Sequence, residues 1–370
     1  MLRRTALLGA SFAAVAACAC VPGDARGAVR QVLARTPTSI TSLAAGGDRV
    51  AWSRLCSLRV GVGTRLEVRS DGTGAVSRIG GCRPGFGPGG CCGSYTPQTG
   101  GVTSDGLVWW FGGVDGNSES DWSVHAKFRR TAESKVDAVT LLCGANGCSC
   151  GNVGSALGPI AAGGAILYST SRYIGDPSDC ASGGGQILAG GAIHRIERTS
   201  SGARSSKVGS APGASMLAAA AGRFAERPLV PGGPIEPGVE VRTADTGALI
   251  SSFIPSGSIQ ALGLARRFAA VLVNSGGSET IQRFAVGSGD PLGSTAVPTN
   301  TAPFLDVSGH RILYLVGRRR IHLLNLRTGR DRLLIRAGNY PDGLSLDGNL
   351  VVWYGQTPDG HGVLLGITLR

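Results

Sequence analysis

Cysteines give this sequence its most evident chemistry. The chain holds ten, and cleavage of a leader near Ala25 would remove Cys18 and Cys20 and leave eight. An even number of cysteines in an exported protein is typical of disulfide bonds rather than of free thiols. The spacing leaves the pairing open, and the candidates for disulfide bonds are Cys56, Cys82, Cys91, Cys92, Cys143, Cys148, Cys150 and Cys180.

Zinc is the alternative for the cysteines at 143–150. Cys143-x4-Cys148-x-Cys150 could supply thiolate ligands, but this spacing differs from that of zinc knuckles and no histidine lies nearby. An oxidising compartment also disfavours free thiols. The sequence therefore favours disulfide bonds at this segment.

Oxygen-bearing side chains alternate in one acidic stretch, which consists of Asp115, Asn117, Glu119 and Asp121. Such alternation is typical of a calcium-binding loop. The stretch departs from the EF-hand pattern at Ser120, where glycine is required, and at Ala126, where a bidentate glutamate should lie. The competing interpretation is a polar hairpin tip in water. We expect no cofactor other than this candidate calcium ion.

Arg318, Arg319 and Arg320 form the one compact basic run in the sequence. Guanidinium groups bind carboxylates and phosphates through two parallel hydrogen bonds. The run is therefore a candidate binding site for an acidic protein or an anionic envelope polymer, with a solvated basic face as the alternative. The net charge of +12 is carried almost entirely by arginine. Genome base composition can produce such a bias, so we do not expect a nucleic-acid partner.

The first 25 residues predict an export signal. Arg3 and Arg4 precede an apolar run that Pro22 and Gly23 break before Ala25. The run is too short to span a bilayer. The arginine pair leaves a twin-arginine export route open. We expect the mature chain in the cell envelope or outside the cell.

The segment Val15-Ala16-Ala17-Cys18 resembles a bacterial lipobox. Cleavage before Cys18 would give a lipidated N-terminus and thus the one membrane attachment that the sequence suggests. Cleavage there would also keep Cys20, which makes the number of cysteines available for disulfide bonds odd. The cysteine count therefore favours plain secretion. Lipidation at Cys18 is the alternative.

Internal repeats predict the fold. A strand, a turn that commonly contains glycine and a strand ending in an aromatic residue recur along the chain, most clearly at 344–353. Other copies lie at 43–52, 102–109, 160–168, 217–226, 261–270 and 305–314, of which those at 217 and 261 lack the aromatic residue. The last residues of successive copies are separated by 39 to 59 residues. The shortest separation is from 314 to 353 and the longest is from 109 to 168. A spacing near 40 is what a four-stranded propeller blade requires. We predict an all-β chain with a single β-propeller of about seven blades over 29–370, or six if a weak copy is no blade.

The chain ends predict how the ring closes. The residues at 332–337 before the last repeat match those at 30–35 before the first. With the strand after each turn labelled A, the chain stops after strand B of the last blade. We therefore expect residues 29–42 to supply the missing C and D strands, which would remove open sheet edges.

The C-terminal repeats resemble the WD40-like repeats of TolB-type β-propellers, whose units carry a Ser-Pro-Asp-Gly turn before a strand. The matching residues are Ser345-Leu346-Asp347-Gly348, and more loosely 306–309. The resemblance covers about residues 300–370 and is faint before them. It implies the propeller architecture and no partner or activity.

Successive strands of a blade reverse direction, so alternate connections open at one end of the ring. With the labels above, Cys56, Cys180, the acidic stretch and the arginine run fall in A–B loops. The other cysteines fall in C–D loops, within Gly-rich inserts that lengthen blades 1–3 at the same end. We expect a non-catalytic, monomeric binding or scaffold protein that holds its partner there.

A secreted propeller enzyme that cleaves polysaccharide, as a lyase or a hydrolase, is the alternative. The sequence contains none of the usual linear catalytic motifs. Its channel segments at 44–46, 161–163 and 218–221 carry neither acid nor base, and we expect the histidines to be scattered over different strand positions: His125, His194, His310, His322 and His361. Two carboxylates roughly 5–10 Å apart at the channel mouth would favour the enzyme.

Overall fold

The computed structural model of the protein describes residues 30–57, 62–70, 74–84, 96–115, 119–142, 153–162, 165–175, 186–208, 213–230, 238–317, 319–337, 343–357 and 359–369. The predicted export signal and Cys18 lie outside these residues. The described part of the chain forms twenty-eight β-strands and no helix. It accordingly holds no helix long and apolar enough to cross a membrane.

The strands form seven antiparallel four-stranded sheets, the blades of the propeller. The first strand, β1 (Arg30–Thr36), belongs to the last blade. Strands A to D of blade 1 are β2 (Ile40–Gly46), β3 (Arg49–Ser57), β4 (Val62–Ser70) and β5 (Val76–Pro84). Those of blade 2 are β6 (Thr96–Val102), β7 (Gly106–Asp115), β8 (Glu119–Phe128) and β9 (Ser134–Leu142). Those of blade 3 are β10 (Val153–Ala162), β11 (Ala165–Gly175), β12 (Gln186–Arg198) and β13 (Ala203–Val208).

The second half of the ring has the same plan. Blade 4 consists of β14 (Ala214–Ala220), β15 (Arg223–Pro228), β16 (Val239–Thr243) and β17 (Leu249–Phe253). Blade 5 consists of β18 (Ser258–Leu264), β19 (Phe268–Ser275), β20 (Ser278–Ala285) and β21 (Pro291–Val297). Blade 6 consists of β22 (Thr301–Ser308), β23 (Arg311–Val316), β24 (Arg320–Asn325) and β25 (Arg330–Arg336). Blade 7 consists of β26 (Gly343–Asp347), β27 (Leu350–Gln356), β28 (Gly362–Thr368) and β1.

The prediction of an all-β propeller is confirmed, with seven blades rather than six. The two weak repeats, at 217 and 261, form the complete blades 4 and 5. Two details were wrong. Each repeat spans the A–B turn, so the strand after the turn is strand B and every predicted label moves by one place. The chain therefore supplies strands A to C of blade 7 by itself, and β1 alone adds strand D by pairing with β28. Residues 40–42 belong to strand A of blade 1 instead.

Glycine sets the geometry of the A–B turn of blade 1. Gly47 and Asp48 have φ angles of 58° and 60°. This left-handed pair is the conformation that a two-residue hairpin requires, and glycine adopts it without a steric penalty. A Cβ atom on Gly47 would also lie 2.3 Å from the backbone nitrogen of Ser104 in blade 2. The turn is thus pressed against its neighbouring blade.

The hydrophobic core lies between blades rather than within them. Trp52 on β3 packs against Val352 and Leu364 of blade 7, and Tyr314 on β23 packs in the cluster shared with blade 5. Strand B is covered on both sides by neighbouring blades, and in β19 this makes 268–273 a continuous buried apolar run. Each blade therefore depends on two others for its burial.

Leu33 tests the contribution of ring closure to stability. It is 8% exposed and packs in the cluster between blades 7 and 1, whereas its neighbour Val32 is 48% exposed. We expect Leu33→Ala to lower the free energy of unfolding by about 2–4 kcal/mol, because it leaves a cavity at the closing contact. The control Val32→Ala should change it by less than about 0.5 kcal/mol. Denaturant titration measures both, and equal effects would mean that β1 does not close a packed ring.

Candidate functional site

The ring has two ends that carry different connections. The A–B and C–D hairpins lie at one end, called the A–B end below. The B–C hairpins and the D–A connections lie at the other, called the B–C end. The longest connections between strands leave the sheets at the B–C end, at 85–95, 143–152, 176–185 and 229–238.

The predicted features share one end, as expected, although their loop names change. Since each label moves by one place, they belong to B–C hairpins and D–A connections. The strand ends that flank Cys56, the acidic stretch and the arginine run all lie at the B–C end. So do the strand ends that flank the six cysteines outside the described residues, which are Cys91, Cys92, Cys143, Cys148, Cys150 and Cys180.

A disulfide bond between Cys56 and Cys82 lies at the B–C end of blade 1. Cys56 faces Gly63 of β4, and Gly63 in turn faces Pro84 of β5, two residues from Cys82. The bond therefore passes over β4 and joins strand B to strand D. Closing a loop with a sequence separation of 26 residues restricts the unfolded chain. Two of the eight candidate cysteines are thus paired with each other in the structure.

The calcium hypothesis stays a prediction. Asp115 and Glu119 face each other across the hairpin of β7 and β8, and Asp121 faces Gly113. Asn117 lies outside the described residues. In the described part of the chain, no group of three histidine, cysteine, aspartate or glutamate residues is placed to hold a metal ion. The cysteines at 143–150, the alternative zinc ligands, also lie outside it.

The arginine run lies at the B–C hairpin of blade 6, between β23 and β24. Arg319 and Arg320 are exposed, and Arg318 lies outside the described residues. Arg320 faces the exposed Arg336 of β25 in the sheet. The backbone carbonyl of Arg319 accepts a hydrogen bond from Ala337 N at 2.8 Å. Strand D therefore adds an arginine to the basic surface at this end.

Three histidines occupy one equivalent position, and the expectation that all five are scattered was wrong for them. Each lies on strand C directly opposite the aromatic residue that ends a repeat. The pairs are Trp109 with His125, Tyr168 with His194, and Tyr314 with His322. The B–C hairpins differ in length between these blades, so the aromatic residue and the histidine are separated by different numbers of residues in the sequence. The sequence alone therefore does not reveal that the three pairs are equivalent.

The tyrosines of these pairs act as buried hydrogen-bond donors. Tyr168 Oη donates to Asp137 Oδ2 of blade 2 at 2.7 Å, and its ring stacks on His194 with the centroids 4.8 Å apart. Tyr314 Oη donates to Asp331 Oδ2 at 2.5 Å. Burial raises the pKa of both phenols well above the usual value. The hydroxyls thus stay protonated and join strands and blades, which is a structural role.

A cavity of about 750 Å³ lies on the ring axis towards the A–B end. Strand A residues and A–B turns of the blades form its wall, most of which is small or apolar. The segments at 44–46 and 218–221 contribute as predicted. Blades 5 to 7 add three charged residues that the sequence analysis did not place in the channel: Arg266, Asp306 and Asp347.

Asp306 joins the inner strands of blades 6 and 7. Its carboxylate accepts hydrogen bonds from Leu346 N at 2.7 Å, from Val307 N at 2.8 Å and from Ser345 Oγ at 3.3 Å. Burial raises the pKa of Asp306 to about 6 against the effect of these bonds, and the charge of Asp347 adds to the rise. An aspartate inside an otherwise apolar strand A was the sequence signal for this contact.

Glu226 is a buried carboxylate whose negative charge is only partly balanced by the groups around it. It lies on β15 opposite Glu240 and is 0% exposed. Arg242 Nε lies 2.8 Å from Glu226 Oε1 but directs its hydrogen to Glu240 Oε2 at 2.9 Å. The two oxygens of Glu226 consequently lack an aligned hydrogen bond among the described residues. Burial raises its pKa to about 7, and Arg242 opposes the rise.

Comparison with known proteins supports the fold. No family model matches the chain, and no curated protein sequence matches it. A chain in the crystal structure of the mitotic checkpoint complex is 10% identical, with 100% of this chain and 99% of that chain covered and a TM-score of 0.50. The β-propeller domain of Cps50 (Swd1) from Myceliophteria thermophila is 11% identical over 90% of this chain and 100% of its own, with a TM-score of 0.48. The computationally designed Ika8 protein is 13% identical over 90% and 99%, with a TM-score of 0.47. At 10% identity, the likeness to the checkpoint-complex chain shows the fold alone.

Glu226→Gln should make the protein more stable at neutral pH. A carboxyl group whose pKa is raised from 4.5 to about 7 on folding contributes stability below about pH 4.5 that is lost as the pH rises through 7. We expect the variant to exceed the original protein by about 1–3 kcal/mol at pH 8, with the difference shrinking towards pH 4.

Denaturant titration at several pH values measures this effect. Asp245→Asn, which removes a carboxylate with 72% of its side chain exposed in the same blade, is the control and should show no such pH-dependent gain. A Glu226→Gln variant that is less stable than the original at pH 8 would show that the Arg242 ion pair outweighs desolvation.

Proposed function

We propose that this protein is an exported binding or scaffold propeller of the cell envelope or exterior, which holds its partner at the B–C end without catalysing a reaction. The partner is an acidic protein or an anionic envelope polymer. The observation that carries the proposal is that the long connections, the disulfide bond and the arginine run share this end of the ring.

The distribution of side chains supports binding at this end. Arg319, Arg320 and Arg336 present exposed guanidinium groups there. The Cys56–Cys82 bond fixes strands B and D of blade 1, so the connections above them begin from a rigid base. Guanidinium groups pair well with carboxylates and phosphates, which is why the proposed partner is acidic.

The leader and the disulfide bond support export. A charged start, an apolar run and a small-residue cleavage region precede the propeller, and disulfide bonds persist in oxidising compartments. The mature protein is proposed to act as a monomer. Membrane attachment would occur only through a lipid on Cys18.

An Arg319→Ala/Arg320→Ala variant tests the binding surface. We expect its affinity for immobilised anionic envelope polymers to fall by tenfold or more, because two exposed charges at the B–C end are lost. The matched control is Arg266→Ala/Arg267→Ala, which removes two exposed arginines at the A–B end. Surface plasmon resonance with the oxidised protein measures both affinities.

An equal loss of affinity in both variants would show that binding depends only on the net charge of the protein. That result would contradict binding at the B–C end. Failure of the original protein to bind any acidic protein or polymer would contradict the proposed partner class. Circular dichroism must show that both variants retain the fold.

Thiol labelling tests export. In a bacterial host, the full chain should show Cys56 and Cys82 protected from alkylation, because export exposes them to an oxidising compartment. A variant without residues 1–25 should show both thiols labelled. Mass spectrometry of the two peptides measures this difference, and labelling of both cysteines in the full chain would contradict export.

A second candidate is a polysaccharide-cleaving enzyme, which one observation favours. Asp306 and Asp347 are carboxylates on neighbouring blades of the channel, and the pKa of Asp306 is raised to about 6. A glycoside hydrolase needs such a pair, one protonated and one ionised. The hydrogen bonds of Asp306 to blade 7 make the structural role the stronger interpretation. Release of reducing ends from the polymers tested above would reverse that preference.

A further inference from the structure

Blade 6 carries a second group of arginines at the A–B end, apart from the run at the B–C end. Arg311 begins β23 directly after the A–B turn, and Arg327 lies in the C–D hairpin. The two hairpins are joined by a hydrogen bond from Leu326 N to the carbonyl of His310 at 2.9 Å. Arg330 and Arg332 follow at the start of β25.

The strand register places Arg311 and Arg332 on one side of the sheet. Arg311 lies two residues before Leu313, and Arg332 faces Leu323 across the β24–β25 pair. Leu313 and Leu323 belong to the core cluster between blades 6 and 7. Side chains alternate along strands, so both arginines lie on the side that faces blade 7.

Arg311 forms the base of the group. It is half-buried, and its Nη1 donates to Asn349 Oδ1 and to the carbonyl of Gly348 at 3.4 Å, both in the A–B turn of blade 7. These partners are neutral. Burial lowers the pKa of Arg311, and the positive charges of Arg332 and Arg327 lower it further. Arg332 and Arg327 are thus each close enough to Arg311 for their charges to act on it.

No carboxylate of the described residues forms an ion pair with these arginines. Asp331 is adjacent in sequence but faces Leu324, on the opposite side of the sheet, where it accepts hydrogen bonds from Tyr314 and His322. Asp347 lies at the start of the neighbouring turn but lines the channel. The positive charge between the hairpins of blades 6 and 7 is therefore uncompensated.

His310 supplies a second, independent observation beside these arginines. Its Nε2 atom is shielded from solvent and has no hydrogen-bond partner in the described part of the chain. Burial lowers the pKa of His310, and Arg327 and Arg311 lower it further, so the imidazole stays neutral beside the arginines. A buried polar atom without a partner is costly unless a ligand or water satisfies it.

We propose that Arg311, Arg327 and Arg332 form a phosphate-binding site at the A–B end, between blades 6 and 7. A phosphate group offers three or more oxygens and a charge near −2, which three guanidinium groups can share. Arg311 is fixed by blade 7, while the exposed Arg327 and Arg332 are free to close on the ligand. The site is separate from the B–C end and does not depend on the partner proposed there.

Binding of inorganic pyrophosphate tests the site. The full purified chain is titrated by isothermal calorimetry at low ionic strength, beside an Arg327→Gln/Arg332→Gln variant. Both residues are exposed, so the variant should fold. We expect its dissociation constant to rise by tenfold or more. The control Arg266→Gln/Arg267→Gln removes the same charge from exposed positions at the same end of blade 5 and should change the constant less than twofold.

Two results would overturn the proposal: no pyrophosphate binding by the original protein at millimolar concentration, or an equal loss in the control variant. Vesicles of phosphatidylcholine with phosphatidylglycerol form a second arm, read by co-sedimentation. Vesicle binding that the Arg327/Arg332 variant loses would identify a lipid headgroup as the source of the phosphate. Pyrophosphate binding without vesicle binding would identify a soluble or polymer-borne phosphate.

Discussion

The pairing of β1 with β28 is the contact on which the whole ring depends. Blade cores lie between neighbouring sheets, so every blade needs a neighbour on both sides. Without β1, blade 7 would end in an open strand edge, and the cluster of Leu33, Trp52 and Val352 between blades 7 and 1 would lose a wall. One short strand from the beginning of the described chain thus completes the hydrophobic core of blade 7, whose other strands lie more than three hundred residues later in the sequence.

Three buried carboxylates of the propeller differ in the groups that surround their negative charge. Glu67 accepts from Trp52 Nε1 at 3.1 Å and from Arg54 Nε at 3.0 Å, so both of its oxygens are satisfied. Asp306 receives backbone and hydroxyl donors instead of a cation. Glu226 has a nearby cation but no aligned donor. Because burial penalises a carboxylate that lacks aligned donors, folding raises the pKa of Glu226 to about 7.

The repeats allowed the fold to be predicted because the residues that make strand B are also the residues that every blade must bury. An aromatic residue after the turn, as at Trp353 or Tyr314, recurs at the same place between blades. The turn itself was placed before strand A instead of after it, since a glycine turn looks the same at either position. The register of His125, His194 and His322 could not be predicted, because it depends on how strand C pairs across hairpins of different lengths. The arginines of blade 6 likewise divide between two ends only when the strand directions are known.

Strand direction has a last consequence, which concerns orientation. β1 is a D strand, so it begins at the A–B end and runs towards the B–C end. The eleven residues between Cys18 and Arg30 reach at most roughly 40 Å. If Cys18 carries a lipid, the segment that joins it to the propeller would therefore enter the ring at the A–B end. The arginines between blades 6 and 7 lie at that same end, whereas the long connections leave the sheets at the opposite end.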